Sequence, residues 1–169
     1  MPGIYELDEK DWPLARRWKA TDKARGRYMG DMCLAMYEKW GEEGLEVIGK
    51  VYASAAERTF LKGLKDFGIK GNGADAMAKF FVIANSVLSY PMEMVEASEK
   101  KAVIRYHSCH LFAKPSPGAE QICRRAIFSY EQKAAALLNP KLKVYFTKVW
   151  TGGDPYCEWV AESEDSTNR

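Results

Sequence analysis

The sequence has little of what usually announces a function. Its 169 residues hold 2 histidines, 4 cysteines and 7 prolines. The 25 basic and 23 acidic side chains leave a formal charge of only +2. That balance excludes a general polyanion binder, whose affinity rests on a basic excess. No apolar run approaches the ~20 residues that cross a bilayer. Four cysteines are too few for a small disulfide scaffold. Neither Cys-x-x-Cys nor His-Glu-x-x-His occurs, so the two commonest metal and redox spacings are missing. No repeat of ~20–50 residues is present. Met1–Lys10 mixes acids with apolar residues and shows no basic start followed by an apolar segment. A cytoplasmic location is expected, with the cysteines as reduced thiols, metal ligands or reactive groups.

What is present suits a folded core. Apolar residues make up 47% of the chain, too many for disorder. The length suits one domain, residues 1–169, with a helical part over about 11–90, a mixed part over about 91–162 and a polar tail at 163–169. Asp11 before Trp12-Pro13 marks a helix start. Met29, Met32, Cys33, Met36 and Trp40 recur at helical spacing, Gly26 and Gly30 are expected to split this stretch into two helices, and Gly41 ends it. Leu45, Ile48, Tyr52, Ala56, Phe60 and Leu64 trace one face of a second helix, closed by Gly68. Met77, Phe80, Phe81, Ala84 and Leu88 mark a third, closed before Pro91.

The pattern then changes. Met92–Ser98 and Ala102–Ser108 read as a hairpin around Glu99-Lys100-Lys101. A helix follows the Lys114–Gly118 loop and stops at Asn139-Pro140. Lys141–Trp150 and Tyr156–Ala161 read as a second hairpin around Thr151–Pro155. The fold class expected is α+β: N-terminal helices, then β-β-α-β-β, with a four-stranded antiparallel sheet packed on helices.

The residues that can carry chemistry are Cys109, Cys123 and Cys157, with His107 and His110 beside the first. Each cysteine falls at an element end in the mixed half. Three thiols meeting there would bind a metal such as zinc, with His110 as a further ligand, or hold a nucleophile with His107 as its base. Strand alternation puts His107 on one face with Arg105 and Cys109. Cys123, early in a helix, gains thiolate character from the helix N-terminus, with Arg124 and Arg125 beside it. The opposing reading is inert packing, because cysteine is among the most buried residue types. Cys33 falls inside the methionine stripe and reads as core.

Gly152-Gly153-Asp154 lies between two strands and reads as a turn rather than a phosphate loop. The basic stretch from Arg16 to Arg27 reads as a solvated helical face. The Met29–Trp40 stripe is core or the seam of a homodimer.

Several segments together resemble a known family. They are Tyr106–Cys109, Cys123, Leu138-Asn139-Pro140-Lys141-Leu142-Lys143, Thr147-Lys148, Gly152-Gly153-Asp154 and Cys157-Glu158-Trp159. Their order resembles the L-2-amino-thiazoline-4-carboxylic acid hydrolase family, and Trp40–Leu45 is similar to that family's second helix. The likeness spans roughly residues 25–162, with His110 standing where the family pattern has proline. A more distant similarity is to 4-vinyl reductase-type domains, which are small-molecule-binding modules.

The resemblance implies a hydrolase that opens a small cyclic amidine or thiazoline ring with water. Cys109, Cys123, Cys157 and His107 would be catalytic. Arg105 or Arg124 would hold a substrate carboxylate; the cofactor stays open, with zinc or manganese as the candidate metals. The alternative is a non-catalytic binding or sensing module whose apolar pocket is lined by Phe80, Phe81, Phe112, Tyr130, Tyr145, Phe146 and Trp150. Either way the partner expected is a small molecule, not nucleic acid or membrane.

Overall fold

Polar and apolar residues alternate at helical spacing through the first half of the chain, and the structure converts that pattern into three long helices. It is a computed structural model and describes residue 10 and residues 13–163. The expected cap at Asp11, Trp12 beside it and most of the polar tail lie outside the described residues. Helix α1 runs Leu14–Trp40, α2 Glu42–Asp66 and α3 Ala74–Val87. Gly41, at φ 55°, separates α1 from α2. Gly68 takes φ 66° just past α2, the left-handed conformation that glycine accepts without a Cβ penalty.

The split expected at Gly26 and Gly30 does not occur: α1 is continuous through both. The glycines instead let the 109–112 loop lie against the helix. A Cβ on Gly30 would stand 2.1 Å from the Leu111 carbonyl oxygen, and one on Gly26 would stand 2.7 Å from that of His110. Close backbone approach, not helix breaking, is what these two positions require.

Strands β1 (Glu93–Ala97), β2 (Lys101–Tyr106), β3 (Leu142–Lys148) and β4 (Cys157–Ser163) form one antiparallel sheet in the order β1-β2-β4-β3. Both expected hairpins form, and β4 joins them by pairing with β2 from Lys101↔Glu162 to Tyr106↔Cys157. The α+β expectation is therefore met. Ser163, read as the start of the tail, is the last residue of β4.

The expected fourth helix is interrupted. It consists of α4 (Pro117–Ile122), a π-helical turn (Cys123–Ile127) and α5 (Ser129–Leu138). Ser116 caps α4, its hydroxyl accepting the Ala119 N–H at 3.2 Å. A π-turn inserts an extra residue into the helical repeat and re-aims the side chains around it.

Two apolar clusters result. One lies between the sheet and the helices, built on Phe60, Met77, Phe80, Phe81, Ile104, Phe128 and Trp159. Its rings pack edge to face, with Phe60–Phe80 centroids at 4.7 Å and Phe81–Trp159 at 5.3 Å. Such pairs add ~0.5–1.5 kcal/mol each beyond area burial. The other joins α1, α2 and α4 through Cys33, Leu45, Ile48, Phe112 and Ile122. The methionine stripe divides accordingly: Cys33 is core, while Met32 and Trp40 face outward.

Candidate functional site

Where the two clusters meet they leave a cavity of about 300 Å³. Its walls come from α1 (Gly26, Met29), α2 (Tyr52), α3 (Phe80, Phe81, Ala84), the α3–β1 loop (Tyr90), β2 (Tyr106), the π-turn (Cys123, Ile127), α5 (Tyr130, Glu131) and β3 (Phe146). Ordinary ligand pockets run ~300–1,000 Å³. This one is therefore sized for a compact guest.

Cys109, Cys123 and Cys157 all line this cavity, as does His110. Each thiol reaches it by its own route. Strand β2 ends at Tyr106, so the alternation that would place Cys109 with Arg105 and His107 is lost, and the chain turns Cys109 inward. Its sulfur accepts the Phe112 N–H at 3.3 Å. Cys123 opens the π-turn. Cys157 begins β4, and its sulfur accepts the Trp150 N–H at 3.2 Å.

The environment corrects the expectation for Cys123. It sits more than a full turn past the start of α4, at the opening of the π-turn, and burial pushes its thiol far up, against a smaller opposing effect of the Thr151 hydroxyl. Arg124 and Arg125 face elsewhere, Arg124 bonding Glu120 at 2.8 Å and Arg125 gripping the Glu42 carboxylate. Burial also raises Cys157, to about 11, with the Trp150 N–H opposing. These two sulfurs are neutral thiols at pH 7.

The remaining candidates stand apart from the cavity. Arg105 and His107 are on the opposite face of the sheet. Arg105 pairs with Glu158 at 2.5 Å, and His107 meets Glu93 at 3.0 Å. Arg124 is a surface residue beside α4. Of the aromatics expected in a pocket, Phe80, Phe81, Tyr130 and Phe146 line it. Phe112 and Trp150 pack in the helical cluster, and Tyr145 is exposed on the outer face. Along Arg16–Arg27, read as a solvated face, Arg25 is exposed and Arg27 is half-buried. Arg25 lines the cavity beside its partner Asp22 at 2.5 Å, and Arg27 donates to the Cys109 carbonyl at 3.2 Å.

The metal reading meets the donor set directly. Among the described residues no group of three His, Cys, Asp or Glu side chains is placed to hold an ion. The residues present do not fit zinc or manganese.

The cavity also holds polar groups that the sequence reading passed over. Glu131 is enclosed, and burial raises its carboxyl to about 7, against a smaller effect of its own backbone N–H. Its Oε2 and the Tyr52 hydroxyl have no hydrogen-bond partner, an arrangement that costs folding energy unless something supplies one. Tyr106 is held far above the usual phenol range, first by burial. His110 stacks on Tyr90 at 4.1 Å, and burial depresses it to about 4. A signal for Glu131 existed. It stands four residues from both Ile127 and Ala135, a carboxylate on the apolar stripe of its helix.

No family model and no curated protein matches the chain in sequence. Solved structures match it in shape. The phenol-responsive sensory domain of the transcription activator PoxR, solved with phenol, aligns at TM-score 0.60 and 8% identity, covering 83% of this chain and 75% of that one. A trafficking protein particle complex subunit 3 from Naegleria fowleri, covalently bound to palmitic acid, aligns at TM-score 0.60 and 14% identity, covering 86% and 96%. At these identities the likeness is one of fold. Neither structure is described as a hydrolase, and the resemblance to the thiazoline hydrolase family finds no support among these comparisons.

Proposed function

We propose that this chain is a small-molecule-binding module that takes a compact, largely apolar ligand, a single aromatic ring with one polar group, into the cavity between its two clusters. One observation carries the reading: a concave space of about 300 Å³ walled by aromatic and aliphatic side chains, with a few polar groups converging on it. Tyr52 and Glu131 would orient the polar group, and Phe80, Phe81 and Phe146 would hold the ring. The phenol held by one structure of this fold supports it, and the palmitic acid of the other supports only the apolar character of the ligand. Thiolate-first hydrolysis is less well supported, because the attacking species is the thiolate and burial holds Cys123 and Cys157 protonated.

The test is thermal unfolding in the presence of phenol, benzyl alcohol and palmitate. A ligand present at 100 times its Kd adds ~2.7 kcal/mol and raises Tm by several degrees. The single-ring compounds are expected to do so in the native chain and not in Ala84→Trp, whose indole fills the cavity. No shift with any of the three, or an equal shift in the variant, contradicts the proposal.

A further inference from the structure

Glu131 gives the cavity a charge preference. Its carboxyl lies in the wall with Oε2 unpartnered. The ionisable groups that interact with it are the phenols of Tyr52 on α2, Tyr106 on β2 and Tyr130 on α5 and the thiol of Cys123 on the π-turn. None of these brings a positive charge. The cationic side chain that lines the cavity, Arg25, is on α1 and already paired with Asp22. His110, beside it, is neutral at pH 7. An enclosed carboxylate with no cation is costly, and the cost is relieved when a cation arrives with its own N–H donors.

We infer that the ligand of this cavity is an organic cation, an aromatic or small aliphatic ring bearing a protonated amine, whose N–H groups bond the Glu131 carboxylate with the Tyr52 hydroxyl as a second acceptor. The aromatic wall suits the same guest, since ring faces attract an ammonium group. A neutral donor such as a phenol hydroxyl satisfies the carboxyl less completely. An anion meets like charge. The inference rests on the binding-module reading and narrows it to one ligand class.

Titration calorimetry at pH 7.5 with benzylamine, benzyl alcohol and benzoate tests this, because the three share a ring and differ in charge. The expected order is benzylamine, benzyl alcohol, benzoate, with benzylamine about tenfold or more tighter than benzyl alcohol, the modest end for a buried charge pair. Glu131→Gln keeps the shape and removes the charge. It is expected to bring benzylamine to within about threefold of benzyl alcohol, a gap worth under 1 kcal/mol. Benzoate binding as tightly as benzylamine to the native chain overturns the inference, whatever the variant does. So does an amine preference that survives in the folded variant. If benzyl alcohol binds and benzylamine does not, the charge inference fails while the binding module stands. If none of the three binds, the module reading fails as well.

Discussion

Two titratable residues in the cavity wall pull the pH dependence of stability in opposite directions. Glu131 keeps its proton up to about pH 7 in the folded chain, against an ordinary value of 4.5. Between those values the folded state holds a proton that the unfolded chain has lost, so this group's contribution falls as pH rises, by about 3 kcal/mol at most. His110 does the reverse. It stays neutral down to about pH 4, against 6.5. The unfolded chain then binds the extra proton, and stability rises with pH over that window by a similar amount. The two slopes oppose each other from about pH 4.5 to 6.5. Glu131→Gln is expected to gain stability relative to the native chain as pH rises through this range and to level off above pH 7. His110→Asn is expected to gain relative to it as pH falls below 6.5. Urea unfolding midpoints measured from pH 4 to 8 check both, and parallel curves for variant and native chain contradict them.

At the scale of elements, the contact between α1 and the 109–112 loop holds the cavity closed on one side. Gly30→Ala puts a methyl group 2.1 Å from the Leu111 carbonyl oxygen. That clash exceeds the ~1 kcal/mol gained in helix propensity. A net loss of about 2–4 kcal/mol is expected in denaturant unfolding, together with weaker ligand binding as Cys109 and His110 shift. A neutral or stabilising result contradicts the packing described. The same contact shows why part of the fold was illegible in the sequence. A glycine in a helical stretch serves equally as a break or as a close approach, and the deciding carbonyl comes from a loop far along the chain. The hairpins were legible because each depends on local alternation and a nearby turn. The π-turn at Cys123–Ile127 was not, since its apolar spacing, Ile122, Ala126 and Ile127, also fits a plain α-helix.

At the scale of the whole molecule, the cavity exists because the sheet-side and helix-side clusters do not close fully on each other. The sequence located the thiols at element ends, and all three line this space. The alternation that set Cys109 on one face with Arg105 and His107 ends where β2 stops at Tyr106, and Cys109 turns into the cavity while the other two stay on the outer face. The sequence reading passed over Glu131, whose environment is assembled from α2, β2 and the π-turn around α5. The most direct test of the account is an amide NMR titration of the folded chain with phenol. Saturable shifts are predicted at Gly26, Ala84, Leu111, Ile127 and Phe146, residues distant in sequence that share the cavity wall. No saturable shift, or shifts confined to the surface groove around Glu42, Lys50 and Arg125, would contradict it.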